Sequence, residues 1–180
     1  MEYIPNSLSK LIKGNRKERK IFTFTLVKLY MFQILRALLY LEAHEIMHRD
    51  IKPSNILITE DELVSKLCDF GSAKKVLKND NNISYICSRF YRAPELLFGS
   101  NEYNQTIDLW SLGCVMAEML LGEILFPGES TVEQIVEIIK VLGTPTKKEL
   151  KKMNPNYNEY SFPQIKCHPW HRVSIINLVI

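Results

Sequence analysis

The sequence has few cysteines, and none of them lie close enough together to form a recognisable pair. Its four cysteines are widely spaced along 180 residues, and no C-x-x-C motif is present. The small number and wide spacing of the cysteines do not predict a fold held together by disulfides. They are typical of reduced thiols inside the cell. We therefore expect a cytoplasmic protein, with the nucleus as the alternative location.

The sequence also lacks a strong excess of charge and a long uninterrupted apolar run. The formal net charge is +3 and the pI is near 8.6, which is too mild to predict a nucleic-acid partner. The longest apolar stretch, near residues 112–126, is broken by Glu118, Gly122 and Glu123. It therefore predicts no membrane-spanning helix, and we expect neither nucleic acid nor membrane as a partner.

Hydrophobic periodicity predicts a mainly helical chain. Apolar residues recur at three- and four-residue steps between residues 25 and 43, which is typical of an amphipathic helix. A second, nearly apolar helix opens at Thr106 and is predicted to be buried on all sides until Gly122 ends it. A third is capped by Ser130 or Thr131 and runs to residue 142, before Gly143.

The remaining segments predict little regular structure. Residues 56–58 and 65–68 predict a short β-hairpin around an acidic turn. Residues 7–12 predict one or two helical turns, and the basic run over residues 10–20 predicts a solvated loop, or alternatively a patch for an acidic partner. Beyond residue 145 the prolines predict a loop-like chain.

The most informative stretch is I-M-H-R-D-I-K-P-S-N at residues 46–55. Its charged centre lies between an apolar pair and the apolar run at residues 56–58. This pattern predicts a loop that buried strands hold at both ends, a position suited to catalytic groups. Asp50 and Asn55 are five residues apart, the spacing of a kinase catalytic loop.

Three further motifs follow in order along the chain. D-F-G stands at residues 69–71, A-P-E at 93–95 and D-L-W-S-L-G at 108–113. Together the four motifs resemble those of eukaryotic protein kinases. Longer strings at residues 84–96, 140–146 and 153–170 are similar to the glycogen synthase kinase-3 (shaggy-type) family, and the resemblance covers roughly residues 1–173.

The resemblance implies a mainly α fold: a protein-kinase-like C-terminal lobe with a short pair of β-hairpins at the cleft and no N-terminal lobe. Residues 2–5 match the family's hinge, or alternatively form an ordinary terminal segment. Residues 1–180 are therefore expected to be a partial kinase domain, with the N-terminal lobe and the last C-terminal helices missing. The sequence contains no G-x-G-x-x-G and no V-A-I-K lysine, so the truncated chain is expected to be inactive alone.

The resemblance also implies the roles of individual residues in a serine/threonine kinase that uses ATP and Mg²⁺. Asp50 would accept the proton of the substrate hydroxyl, Lys52 would neutralise the γ-phosphate, and Asn55 and Asp69 would bind the metal. His48 and Phe70 would stack. The implied nucleotide contacts are Glu2, Ile4, Lys52, Ser54, Asn55, Leu57 and Asp69.

Two buried carboxylates have implied structural positions. Asp108 would hydrogen-bond to the backbone of the catalytic loop, or alternatively serve as a carboxylate at a helix N-terminus. The A-P-E glutamate, Glu95, would lack its usual arginine partner and remain a costly unpaired carboxylate.

Regulatory features are implied between D-F-G and A-P-E. Tyr85 would be phosphorylated, and Arg89 and Arg92 would pair with its phosphate. The alternative is an unmodified tyrosine packed on the loop. Arg49 and Lys74 match two of the three members of the family's pocket for a phosphate already present on the substrate.

The last implied site is a groove for scaffold helices within residues 132–160. Helix-in-groove docking suits an exposed apolar stripe, although some of these side chains must belong to the core. The alternative function is accordingly a non-catalytic pseudokinase fragment that binds scaffold helices. The implied groove residues are Val132, Ile135, Val136, Ile139, Leu142, Tyr157 and Tyr160.

Overall fold

The computed structural model describes residues 3–59, 61, 63–76, 82–157 and 162–169. Within these residues the chain forms six α-helices and five short strands, so it is mainly helical as predicted. The helices are α1 (Leu8–Lys17), α2 (Phe24–Ala43), α3 (Pro94–Leu97), α4 (Thr106–Leu121), α5 (Thr131–Leu142) and α6 (Lys147–Met153). The strands are β1 (Asn6–Ser7), β2 (Ile46–Met47), β3 (Ile56–Thr59), β4 (Val64–Leu67) and β5 (Lys74–Lys75).

The core is built on α2, which confirms the helix predicted over residues 25–43. Thr23 caps it by accepting a hydrogen bond from the amide of Leu26 at 3.4 Å. The helix packs against α4 and β4. By length and a mean hydropathy of 1.4, α2 is also apolar enough to cross a membrane, a test that core helices pass too. Its buried side chains are Val27, Tyr30, Met31, Ile34, Leu38 and Leu41.

α4 begins and ends where the sequence predicted. Gly122 terminates it with a left-handed backbone (φ 74°) that glycine adopts without steric cost. The prediction that this helix is buried on all sides is wrong for one face. Leu109, Gly113 and Met116 are exposed along that face, because α2 and the turn at Arg89–Tyr91 pack against other parts of the helix.

Two small antiparallel ladders hold the ends of the loop at residues 48–55. β3 lies between β1 and β4, with Ser7 opposite Leu57 and Ile56 opposite Leu67. β2 pairs with β5, so that Met47 is opposite Lys74. The predicted hairpin is confirmed to within one residue at each end, and its first strand, β3, immediately follows the charged loop.

The basic run over residues 10–20 is helical up to Lys17, so the loop prediction is wrong there. Ser7 caps the helix through a hydrogen bond from the amide of Lys10. Leu8 and Ile12, four residues apart, are buried and anchor one side of α1. The basic side chains occupy the solvent side, which is the ordinary pattern of an amphipathic helix.

The loop prediction beyond residue 145 is also wrong, because α6 forms there. Thr146 and Glu149 make a reciprocal capping box, in which each side chain accepts a hydrogen bond from the other's backbone amide. The T-x-x-E signal for this helix stands at residues 146–149 of the sequence, whereas the loop prediction relied on the neighbouring prolines alone.

Gly128 offers a test of packing within this fold. A Cβ at this position would overlap the backbone of Gln134, whose buried side chain also accepts a hydrogen bond from the Gly128 amide at 3.1 Å. We expect Gly128→Ala to lower the free energy of unfolding in urea by about 2 kcal/mol. The matched control, Gly14→Ala, lies in α1 with nothing within 4 Å, and should raise it by about 1 kcal/mol. Equal stability of the two variants would contradict the packing argument.

Candidate active site

The loop at residues 48–55 is held at its start by a buried carboxylate on α4. Asp108 Oδ2 accepts a hydrogen bond from the His48 amide at 2.7 Å, and Oδ1 accepts one from the Arg49 amide at 2.8 Å. Burial raises the pKa of Asp108, and these two backbone bonds oppose that effect. The hydrogen bonds expected between Asp108 and the loop are therefore present, and they fix Arg49 in a left-handed backbone (φ 66°).

His48 joins this loop to the D-F-G motif. Its Nε2 lies 3.0 Å from the Cys68 carbonyl, and its Nδ1 lies 3.3 Å from the Asp50 amide. A neutral ring with its hydrogen on Nε2 satisfies both contacts. The His48 and Phe70 rings meet edge to face with centroids 4.8 Å apart, so the expected stacking is present as an edge contact.

Asp50 has a carboxylate that three side chains surround. Its Oδ2 accepts hydrogen bonds from Lys52 Nζ at 2.7 Å and Asn55 Nδ2 at 3.0 Å, and its Oδ1 accepts one from Ser88 Oγ at 2.9 Å. Burial alone would raise the pKa of Asp50, but the bonds from Lys52, Ser88 and Asn55 together lower it. The carboxylate is therefore ionised at neutral pH and fixed in orientation.

Asn55 and Asp69 lie beyond the same end of the β3–β4 ladder, Asn55 just before β3 and Asp69 two residues after β4. The Asn55 carbonyl accepts a hydrogen bond from the Cys68 amide at 3.0 Å, and Asp69 is the next residue. Asp69 has a left-handed backbone (φ 61°, ψ 73°) and an exposed side chain. Hydrogen bonds therefore link Asn55 both to Asp50 and to Cys68, the residue before Asp69.

The donor set suits Mg²⁺. Among the described residues, no group of three His, Cys, Asp or Glu side chains forms a metal site made of protein alone. Asn55 and Asp69 instead carry side-chain oxygen atoms, the ligand type that shares Mg²⁺ with water and phosphate. By the chemistry of their donor atoms, these residues would suit a metal that arrives with its nucleotide.

The predicted nucleotide contacts are spread around the same sheet. Ile56 and Ile58 of β3 are fully buried, whereas Leu57 points to the other face and is half-buried. Ile4 lies two residues before β1, the strand that pairs with β3. Ser54 is exposed in the turn at Pro53–Asn55, and Glu2 lies outside the described residues.

Arg49 and Lys74, the two predicted phosphate-pocket residues, lie close to a common neighbour. Arg49 Nε donates to the Ser72 carbonyl at 2.6 Å, and Lys74 Nζ donates to Asn82 Oδ1 at 2.8 Å. Burial raises the pKa of Tyr103, while the neighbouring Arg49 and Lys74 lower it. Tyr103 is therefore part of this cluster, although no sequence motif indicated it.

Tyr85 is exposed, and one of its two predicted arginine partners lies against it. The Arg92 guanidinium is 4.5 Å from the centre of the Tyr85 ring, and it donates to the carbonyls of Ile86 and Cys87 at 2.7 and 2.9 Å. Arg89 instead donates to the carbonyl of Glu129. In this arrangement, both guanidinium groups bind backbone oxygens.

The predicted scaffold groove divides into surface and core. Val132, Ile135 and Tyr157 line one open cavity of about 530 Å³. Val132 is 66% exposed, whereas Ile139 is only 2% exposed and belongs to the core. Val136 is half-buried and Leu142 is exposed. Tyr160 lies outside the described residues.

Glu95 lies in the first turn of α3 and is half-buried. Among the described residues, no lysine or arginine forms an ion pair with it. Burial raises the pKa of Glu95, and a backbone hydrogen bond opposes the shift. The unpaired carboxylate expected from the sequence is therefore present in this part of the chain.

This carboxylate gives a pH-dependent prediction. The pKa of Glu95 is higher in the folded chain than its ordinary value of 4.5. The protonated side chain therefore contributes fully to stability below pH 4.5, and this contribution is lost as the pH rises through the folded pKa. We expect Glu95→Gln to be more stable than the parent chain in urea at about pH 7, with no gain at about pH 4. Glu102→Gln, at an exposed position, is the control. A gain that is independent of pH would contradict the assignment.

Sequence comparison identifies the family to which this site belongs. A family model described as "Protein kinase domain" matches residues 1–179. The chain therefore belongs to the protein kinase family, whose members transfer phosphoryl groups to proteins and generally use ATP and Mg²⁺.

The contact of Ser88 with Asp50 was not predicted from the sequence. The two residues are 38 positions apart, and no periodic pattern links them.

Proposed function

We propose that this chain is the large-lobe part of a serine/threonine kinase of the glycogen synthase kinase-3 (shaggy) type. Its centre would transfer the γ-phosphoryl group of ATP to a protein hydroxyl. The observation that supports this best is the carboxylate of Asp50, which Lys52, Asn55 and Ser88 hold in place. Asp69 follows Cys68, the residue whose amide bonds the Asn55 carbonyl.

Asp50 would orient the attacking hydroxyl and receive its proton. Its lowered pKa keeps the carboxylate ionised, so that it would accept a hydrogen bond from the hydroxyl and then its proton. Lys52 Nζ, 2.7 Å from Asp50 Oδ2, would place a positive charge beside the transferred phosphoryl group. Mg²⁺ bound by Asn55 and Asp69 would neutralise negative charge on the phosphates.

The proposed substrate class rests on the strings shared with the shaggy-type kinases and on two cations. Arg49 and Lys74 lie near Tyr103, and together they would bind a phosphate already present on the C-terminal side of the target residue. With two cations in place of the family's three, this contact would be weaker than in the family. Phosphorylation of Tyr85 would place a further phosphate beside Arg92.

The alternative is a non-catalytic module that binds scaffold helices. The open cavity lined by Val132, Ile135 and Tyr157 favours it, because a helix could bury its apolar face there. The sequence also contains neither a G-x-G-x-x-G loop nor a V-A-I-K lysine to clamp the phosphates. We therefore expect negligible turnover from these 180 residues alone.

The experiment that separates these functions measures nucleotide binding and transfer together. The chain is incubated with Mg·ATP and one of three peptides. The first has a target serine and a neighbouring phosphoserine, the second has the target serine alone, and the third has tyrosine in place of the target serine. Binding of Mg·ATP, with transfer no faster than that of Asp50→Asn, is the expected result. Binding of a scaffold helix without any binding of Mg·ATP would favour the alternative.

Two further outcomes are informative. Transfer to the primed serine peptide that Asp50→Asn abolishes would support the kinase assignment and overturn the expectation of negligible turnover. Transfer to tyrosine in preference to serine would contradict the serine/threonine assignment. Asp61→Asn, an exposed change in the β3–β4 turn, is the matched control for loss of one carboxylate.

A further inference from the structure

One side chain of α2 lies along the outer edge of β4. The strand order in the three-stranded sheet is β1, β3, β4, so β4 stands at one side of the sheet that the described residues form. α2 packs against this strand, and Gln33, near the middle of α2, is half-buried there. The outer edge of a strand presents backbone donors and acceptors that need partners.

The carboxamide of Gln33 bonds both kinds of backbone group on this edge. Its Oε1 accepts a hydrogen bond from the Ser65 amide at 2.6 Å, and its Nε2 donates one to the Leu63 carbonyl at 3.0 Å. Because a backbone N–H group can only donate, the contact with the Ser65 amide fixes which end of the carboxamide is the oxygen. The Ser65 hydroxyl adds a third contact, since its Oγ lies 3.0 Å from Gln33 Oε1.

These contacts imitate a neighbouring parallel strand reduced to a single amide group. In a parallel ladder, the N–H and C=O groups of one residue bond a carbonyl and an amide that stand two residues apart on the next strand. Leu63 and Ser65 stand in that relation at the start of β4. Gln33 therefore takes the place of a further strand, and it does so from a helix that the core holds in position.

The start of β4 is a weak point of the hairpin. Leu63 is 46% exposed and has a left-handed backbone (φ 53°), which is unfavourable for a residue with a side chain. β3 and β4 are four residues long each, and a hairpin of two short strands is marginally stable by itself. The bonds from Gln33 therefore stabilise a turn and a strand register that the hairpin alone would hold weakly.

The other end of β4 leads to the proposed metal ligand. The strand ends at Leu67, the Cys68 amide then donates to the Asn55 carbonyl at 3.0 Å, and Asp69 follows. A shift of β4 along β3 by two residues is the smallest that keeps each side chain on its face, and it would move Asp69 by about 7 Å. The register of β4 therefore decides where Asp69 lies relative to Asn55.

We propose that Gln33 is a positioning residue for Asp69. By holding the outer edge of β4, its carboxamide keeps the end of that strand, and with it the Asp69 carboxylate, in place for the Mg²⁺ of a bound nucleotide. The role toward the metal rests on the proposed function, whereas the hold on β4 rests on the hydrogen bonds to Leu63 and Ser65. Gln33 acts through the strand, since Ser65 precedes Asp69 by four residues.

The first experiment compares amide hydrogen exchange in the 180-residue chain and in Gln33→Met, which keeps a long helix-forming side chain but removes both bonds. The informative amide is that of Cys68, which lies three residues beyond Ser65 and bonds Asn55. We expect it to exchange about tenfold faster in the variant, while amides in α5 keep the rate of the parent chain. Unchanged exchange at Cys68 would overturn the proposal. Equal acceleration in α5 would also overturn it, because the whole chain would then have lost stability.

Two further variants sharpen this comparison. Gln33→Glu keeps an oxygen for the Ser65 amide but turns a second oxygen toward the Leu63 carbonyl. The exchange rate at Cys68 should therefore lie between those of the parent chain and Gln33→Met. Arg36→Met, at an exposed position three residues further along α2, is the matched control and should exchange as the parent chain does. Acceleration at Cys68 as large in Arg36→Met as in Gln33→Met would contradict the role of the carboxamide.

Calorimetric titration with ATP, in Mg²⁺ and in EDTA, tests the consequence for the site. In Gln33→Met, displacement of Asp69 should reduce the gain in affinity that Mg²⁺ gives by about threefold to tenfold, with affinity in EDTA unchanged. A merely structural role would leave this gain unaltered in the folded variant, and that result would overturn the proposal. If Mg²⁺ gives the parent chain no gain, the proposed function fails, and exchange at Cys68 alone decides whether Gln33 holds β4.

Discussion

Replacing Asp108 with alanine is expected to lower the free energy of unfolding by about 4 kcal/mol. The change removes both acceptors of the His48 and Arg49 amides, and it leaves these donors unpaired beside a side chain that was only 3% exposed. Each unpaired buried donor costs about 1–3 kcal/mol. A loss of this size is a large fraction of the stability of an ordinary domain.

The effect should extend beyond stability. Arg49 has a left-handed backbone (φ 66°), a conformation that persists in a non-glycine residue only when its surroundings hold it. Without Asp108, we expect the loop at residues 48–55 to relax and its amides to exchange hydrogen faster. The site therefore depends on a residue 58 positions away from Asp50.

Urea unfolding and amide hydrogen exchange measure these two effects. Asp108→Asn keeps one acceptor and turns an N–H group toward the other donor. Its free energy of unfolding should therefore lie between that of the parent chain and that of Asp108→Ala. Leu109→Ala changes the neighbouring exposed residue, and should alter stability by no more than about 0.5 kcal/mol. Equal loss from Asp108→Ala and Leu109→Ala would show that the two hydrogen bonds contribute little.

The sequence predicted the neighbourhood of Asp50, Asn55 and Asp69 because its motifs carry local geometry. Short apolar runs on both sides of the charged loop form β2 and β3, and β4 leads directly into D-F-G. The order of these segments therefore determines which residues meet. Hydrophobic periodicity likewise predicted α2, α4 and α5 to within one or two residues.

The sequence could not predict contacts that depend only on the tertiary fold. Ser88 meets Asp50, and Tyr103 lies near Arg49 and Lys74, through segments that no periodic pattern connects. Periodicity also shows that a helix has an apolar face without showing how much of it another element covers. The composition of α2 and of α4 is typical of core helices, so the sequence did not predict that each helix has an exposed face.

Substituting Asp69 with asparagine should remove most of the dependence of nucleotide binding on Mg²⁺. In the proposed site, Asp69 is the one carboxylate ligand and Asn55 the neutral one, so the change takes away the negative charge that holds the divalent ion. We expect affinity for ATP in Mg²⁺ to fall by roughly tenfold to a hundredfold, while affinity in EDTA stays the same. Calorimetric titration under the two conditions measures the difference.

The control for this prediction is Asp61→Asn, an equivalent loss of charge at an exposed turn on the same hairpin. Its affinity for Mg·ATP should match that of the parent chain, because a single charge at the turn contributes little when salt screens it. Asp69→Asn also preserves an oxygen that can accept the 3.3 Å hydrogen bond from the Gly71 amide, so the local turn should survive the change. An Asp69→Asn variant that still binds ATP more tightly in Mg²⁺, to the same extent as the parent chain, would remove Asp69 from the metal site and with it the oxygen pair on which the proposed phosphoryl transfer depends.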